Sequence, residues 1–180
     1  LKETDMALAL KKHIRNVPDF PKKGIGFKDI TTLLQHKAAF KASVDQLAQA
    51  LKGVKIDAIA VVESRGFTFG SALAYKLGTG VILVRKPNKL PAQKIRQEYA
   101  LEYGTDALEM HRDAVKPGQS ILIVDDLLAT GGTALAVAKL VERLKGKVAG
   151  LAFVVELDFL RGRERLKKYK VMSLVHYSSE

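Results

Sequence analysis

"ILIVDDLLATGGTALA", residues 121–136, changes character twice within sixteen letters. A run of β-branched and aliphatic residues gives way to two adjacent carboxylates, Asp125 and Asp126. A glycine-rich turn then leads to Leu135, Val137, Ala138, Val141 and Leu144 at helical spacing. The stretch reads as a strand over 121–124, a turn, and a helix over 133–145. In open α/β sheets, ligands collect beyond the carboxyl ends of the strands. The N-terminus of the following helix presents unpaired N–H groups and the positive end of its dipole to an anion. Gly131 and Gly132 have no side chains to hold a phosphate away from those amides, and Thr130 and Thr133 add hydroxyl donors. Ala129 to Thr133 therefore read as a cradle for one phosphate, next to two hydrogen-bond acceptors. A ribose 5-phosphate asks for this pairing: amides for the phosphate, Asp125 and Asp126 for the diol. The segment has neither the GK[ST] ending of a nucleoside-triphosphate loop nor a G-x-G-x-x-G fingerprint.

Working outward, "IDAIAVV" (56–62), "GVILV" (80–84), "GLAFVV" (150–155) and "KVMSLVHY" (170–177) are further short apolar runs that read as strands. Helical spacing covers 38–52 and 66–77, and a third helix over 4–16 is stopped by Pro18 and Pro21. Strands alternating with helices predict an α/β fold with a mostly parallel central sheet flanked by helices. No linker or repeat divides the 180 residues, so a single domain over 1–180 is expected. Residues 86–110 keep no steady period. An irregular excursion of that length in a compact domain reads as a lid, with a β-hairpin as the structural alternative.

Composition narrows the classes further. The net charge of +11 favours anionic partners, a solvated basic surface being the plain alternative. The absence of cysteine excludes disulfides, thiolate zinc sites and a cysteine nucleophile, and makes a reducing cytoplasm the expected location. No apolar run reaches the roughly 18 residues of a membrane span. The N-terminal stretch is amphipathic, broken by Lys11 and Lys12, and does not read as a signal peptide. His13, His36, His111 and His176 lack metal-ligand or triad spacing and are assigned no chemistry.

"VVESRG" again sets polar letters after an apolar strand, where Glu63, Ser64, Arg65 and Gly66 can offer amides and a guanidinium to an anion. Together these motifs carry a resemblance. "IVDDLLATGGTA" resembles the phosphoribosyl-pyrophosphate (PRPP) signature of the type I phosphoribosyltransferases, and "LLATGGT" is the form seen in the adenine-using branch of that family. "VPDFPKKGIGFKDITTLL" (17–34), "VVESRGFTFGSALA" (61–74), "VRKPNKLP" (84–91), "EYALEYG" (98–104) and "ELDFLRGRERL" (156–166) resemble the same family, in order.

The resemblance implies the type I phosphoribosyltransferase fold, a twisted and mostly parallel sheet, with a small N-terminal hood at about 1–35 and a flexible catalytic loop at about 90–110. It implies purine salvage: transfer of the phosphoribosyl group of PRPP to adenine, giving AMP and pyrophosphate, with Mg2+ held mainly by PRPP and water rather than by assigned protein ligands. A homodimer is implied as well. By the same resemblance, Glu63, Ser64, Arg65, Arg85, Lys86 and Lys89 would bind pyrophosphate, with a cis peptide at Glu63–Ser64. Gly26, Phe27 and Lys28 would hold adenine, although the family more often has Arg where this chain has Lys28, and lysine cannot form arginine's bidentate fork. Glu102 would exchange a proton with the base and Tyr103 would help close the loop. Arg65, Asp125 and Asp126 complete the expected catalytic set. Two rival readings remain: the same reaction on hypoxanthine, guanine or xanthine, and a PRPP-sensing regulator that binds nucleic acid, for which the +11 charge argues. Neither a membrane nor nucleic acid is the expected partner.

Overall fold

The computed structural model describes residues 9–100 and 105–179. In chain order its elements are β1 (Arg15–Val17), β2 (Phe27–Asp29), α1 (Thr31–Gln35), α2 (Lys37–Ala50), β3 (Ala58–Val62), α3 (Gly66–Leu77), β4 (Gly80–Val84), β5 (Lys94–Ala100), β6 (Thr105–His111), β7 (Ser120–Leu128), α4 (Gly132–Arg143), β8 (Lys147–Leu157) and β9 (Val171–Tyr177). Two 3-10 turns, Asp158–Leu160 and Gly162–Leu166, join β8 to β9.

The central sheet has five strands in the order β4-β3-β7-β8-β9, and every pairing is parallel. All five residues of β3 are buried, as a strand covered on both faces requires. Side-chain alternation divides them between two cores. Ile59 and Val61 pack with Leu47, Phe69 and Leu73 from α2 and α3, whereas Ala58, Ala60 and Val62 join Val137 and Leu140 of α4. From β3 the chain moves to β4 on one side and later to β7 on the other. The order therefore reverses between β3 and β7, and the crevice beyond their carboxyl ends is the topological switch point.

Three local readings change. The strand expected at 121–124 runs on to Leu128 because β8 extends to Leu157 and keeps pairing with it, Asp125 opposite Phe153 and Leu128 opposite Glu156. β3 stops pairing at Val61–Val124, so the two carboxylates project beyond it on a strand held from one side. The helix expected over 4–16 has ended by residue 12; residues 9–11 are helical, and 15–17 pair antiparallel with Phe27–Asp29 to form the hood. Arg15 seals that ribbon by donating to Asp29 Oδ2 at 3.0 and 2.5 Å. The Thr31 amide and then Arg15 hold the Asp29 carboxyl down at about 2. Residues 94–100 and 105–111 pair antiparallel as β5 and β6, the strand pairing expected as the structural alternative for the irregular segment, which does not exclude a lid. Among the histidines, His36 caps α2 by accepting the Ala39 amide at 3.2 Å. No helix among the described residues is long and apolar enough to cross a membrane.

Candidate active site

At the switch point lies a cavity of about 600 Å3, lined by Glu63, Ser64 and Arg65 after β3, Lys86 after β4, Tyr99 and Asp106 of the hairpin, and residues 125–134. A second cavity of about 450 Å3 opens beside it, walled by Ile25, Gly26, Phe27 and Lys28 of the hood and by Leu157, Phe159 and Leu160. Arg65, Leu127, Ala129 and Thr130 line both. Both volumes are in the range of small-ligand sites. The first is rich in charge and backbone amide; the second is mainly apolar.

The turn into α4 is built by close backbone approach. Gly131 caps the helix at φ 79°, a left-handed conformation that favours glycine. A Cβ on Gly131 would lie 2.5 Å from the Gly162 carbonyl, and one on Gly162 would lie 2.0 Å from the Ala129 carbonyl. The 129–131 backbone thus rests directly on the second 3-10 turn. That turn is anchored by Arg163, whose Nε and Nη2 donate to Glu156 at 2.9 and 2.5 Å, while Ser173 donates to the same carboxylate at 2.6 Å. Burial works against the charge of Glu156, yet Arg163 and Ser173 keep its pKa below the ordinary value.

Asp126 is buried and accepts from Arg65 Nε at 2.6 Å, and its own amide donates to Asp125 Oδ1 at 2.9 Å. Burial, followed by the charge of Asp126, pushes the Asp125 carboxyl well above the usual carboxylate range. The Arg65 guanidinium also lies 5.2 Å from the Phe27 ring centroid, within cation–π reach. One arginine therefore touches a carboxylate of the larger cavity and an aromatic ring of the smaller one together.

The peptide Glu63–Ser64 is cis. Glu63 accepts from Arg85 Nε and Nη2 at 3.2 and 3.1 Å and from the Lys86 amide at 2.9 Å, and Arg85 donates to the Lys89 carbonyl at 3.1 Å. Neither Arg85 nor Lys89 is among the residues lining the cavity, whereas Lys86 is. The Glu63 carboxylate therefore organises Arg85 and the turn after β4. Lys28 lines the smaller cavity, but its ammonium donates to Asn16 Oδ1 at 2.8 Å and lies 4.6 Å from the Tyr177 ring centroid, tying the β1–β2 ribbon to the C-terminal strand. Glu102 and Tyr103 lie outside the described residues.

Sequence reading missed Tyr99, Asp106, Phe159, Leu160 and Gly162 as site residues. Four of them sit inside stretches that carry the family resemblance, "EYALEYG" and "ELDFLRGRERL", but no local period marks the individual letters. Asp106 had no signal at all.

Among the described residues, one group of three ligand-type side chains could meet a single ion: Glu156, Asp158 and His176. Glu156 is already engaged by Arg163 and Ser173, and His176 Nδ1 lies 2.9 Å from Asp158. Within the larger cavity the hard oxygen donors Asp125 and Asp126 suit a magnesium ion, which keeps waters and takes few protein ligands.

The phosphoribosyl transferase domain model matches residues 29–177. The adenine phosphoribosyltransferase of Brachyspira hyodysenteriae is 58% identical over 170 residues, covering 94% of this chain and 100% of its own. The crystal structure of adenine phosphoribosyltransferase from Thermoanaerobacter pseudethanolicus superposes with a TM-score of 0.93 at 56% identity, over 95% of this chain and 99% of that one. The Saccharomyces cerevisiae enzyme, crystallised with an imino-altritol bisphosphate and adenine, gives a TM-score of 0.89 at 40% identity, over 95% and 99%.

Proposed function

Because the chain belongs to the phosphoribosyltransferase family, among its adenine phosphoribosyltransferases, we infer that it is a purine salvage enzyme transferring the 5-phosphoribosyl group of PRPP to adenine, with AMP and pyrophosphate as products. The observation that carries this reading is the adjacency of the two cavities. One suits a charged sugar phosphate, the other a flat apolar base, and they meet at Arg65, Leu127, Ala129 and Thr130.

In this reading the 5-phosphate of PRPP takes the amides and hydroxyls of 129–133, and the ribose diol donates to Asp125 and Asp126. The diphosphate lies toward Ser64, Arg65 and Lys86, with Arg85 and Lys89 next in line. Adenine enters the apolar cavity against Phe27, where stacking on an aromatic contributes ~1–3 kcal/mol. The bond from C1 of the ribose to the diphosphate oxygen breaks, and a bond from C1 to the base nitrogen forms. The electron pair leaves with the diphosphate and a proton leaves the base, the task that family resemblance gives to Glu102. C1 becomes cationic on the way, so the protein acts by positioning and by fixed charge, with no covalent intermediate. Magnesium, when bound, neutralises the diphosphate. The diol competes with Arg65 for Asp126 and so loosens the arginine from the face of Phe27, which makes PRPP the first substrate to bind. Closure of the 90–110 loop then excludes water.

The test is incubation with PRPP, magnesium and an equimolar mixture of adenine, hypoxanthine, guanine and xanthine. AMP should dominate the products. A different nucleotide would reassign the base, and no nucleotide would refute the enzyme reading.

A homodimer belongs to the same proposal. β4 is an edge strand, and Val81 and Leu83, on one face of it, are 40% and 45% exposed. Tyr75, on the neighbouring α3, is 91% exposed. Apolar side chains gathered on a sheet edge fit a self-association surface. Val81→Lys with Leu83→Lys should convert a dimer into a monomer in analytical ultracentrifugation, and a monomeric parent would refute the assignment. A chain without cysteine also fits a cytoplasmic location.

A further inference from the structure

Four carboxylates line the larger cavity, although its proposed substrate is itself strongly anionic. Asp125 and Asp126 are accounted for by the ribose diol, and Glu63 is committed to Arg85 and the Lys86 amide. Asp106 remains. An unneeded negative charge in such a cavity repels the ligand, so its presence calls for a physical account.

Its geometry is specific. Asp106 stands opposite Tyr99 in the antiparallel β5–β6 register. Its Oδ2 accepts from Lys86 Nζ at 3.0 Å and from the Tyr99 hydroxyl at 3.3 Å, and its Oδ1 accepts from the Ala107 amide at 2.8 Å. Burial opposes its charge, but Lys86 and that amide outweigh burial and hold its pKa below the ordinary value; Asp106 in turn raises that of Lys86. Lys86, the cation of the 85–89 cluster that lines the cavity, is thus paired with a carboxylate of β6.

We propose that Asp106 is a positioning residue, a resident anion that holds Lys86 over the cavity and yields it to the incoming diphosphate. The diphosphate replaces one carboxylate with several phosphoryl oxygens around the same ammonium. Asp106 is released from Lys86 and keeps its bonds to the Tyr99 hydroxyl and the Ala107 amide. This rests on the reading of the larger cavity as the PRPP site.

The experiment measures magnesium pyrophosphate and AMP affinity by titration calorimetry in the parent, Lys86→Gln, Asp106→Asn and Asp106→Glu proteins. Losing the competing anion should tighten pyrophosphate binding about fivefold in Asp106→Asn, in keeping with a partly exposed ion pair. AMP affinity should stay unchanged, and the KM for PRPP should fall while that for adenine does not. Asp106→Glu, which keeps the carboxylate, should restore parental pyrophosphate affinity, a rescue that a purely structural role for the aspartate does not predict. Lys86→Gln should weaken pyrophosphate binding. If it does so while Asp106→Asn leaves pyrophosphate affinity unchanged or lowers it, the inference is wrong and the cavity reading stands. Should Lys86→Gln change nothing, the placement of the diphosphate beside Lys86 fails, and the role of Asp106 with it. If Asp106→Asn also disturbs AMP affinity, the Asp106→Glu arm decides: lack of rescue refutes the exchange.

Discussion

Replacing Asp125 and Asp126 together by asparagine is expected to lower kcat about 10²–10³-fold, the scale of losing preorganised electrostatic stabilisation, while the fold persists. In the proposed reaction the two carboxylates would act on the ribose twice, by accepting from its diol and by setting negative charge near a carbon that turns cationic. Asparagine keeps the shape and removes the charge. Unchanged steady-state rates would contradict both roles. The single Asp125→Asn variant carries a second expectation, in stability. Burial and the neighbouring Asp126 raise the Asp125 pKa above its ordinary 3.8. The folded protein therefore holds that proton more tightly than the unfolded chain does. The contribution of this group to stability is complete below pH 3.8 and is lost as pH rises through the elevated folded value. Asparagine removes that loss, so thermal melts of Asp125→Asn should show a flatter pH dependence than the parent and a higher midpoint at neutral pH. A site that keeps such a pair keeps it for function, at the expense of stability.

Gly162→Ala should be nearly as damaging, although residue 162 contributes no side chain to either cavity. Its Cβ would stand 2.0 Å from the Ala129 carbonyl and 2.9 Å from the Gly131 amide nitrogen. Both of those are backbone atoms, and neither can swing aside. The 129–131 turn or the 3-10 turn must move by an ångström or more, and a misplacement of that size costs ~10²-fold in rate. The loss should follow the phosphate. AMP affinity should fall by about two orders of magnitude on the same reasoning, and adenosine affinity should change little. Equal loss for both ligands would mean that the base cavity, not the cradle, depends on residue 162. The Glu156–Arg163 pair behind the turn explains why the 3-10 segment cannot simply retreat: Arg163 also donates to the Val171 carbonyl, which pins the turn to the last strand.

These two predictions differ in how far the sequence foretold them. Asp125, Asp126 and the 129–133 cradle are legible because each follows from its neighbours: an apolar run, an acid pair, two glycines, then helical spacing. The helix at 66–77 matches the observed α3 from end to end for the same reason. Gly162 is different. Its importance lies in contact with residues 129 and 131, some thirty positions away, and nothing local in "FLRGRE" reveals it. Asp106 is read only beside Lys86, twenty positions earlier. Phe159 and Leu160 look like ordinary apolar letters until the chain folds them into the wall of the same cavity as Phe27 and Leu127.

By itself, then, the amino-acid order determined the alternation of strands and helices, the parallel sheet and the glycine turn that joins its central strand to a helix N-terminus. Periodicity, turn chemistry and helix ends are properties of a few consecutive residues. The pairing of β7 beyond Asp125, the hood ribbon, the shared wall at Arg65 and the backbone seat under Gly131 were decided only in three dimensions. Each depends on two distant segments meeting at a separation of a few ångströms, and a hydrogen bond or a missing Cβ has no meaning until both partners are in position.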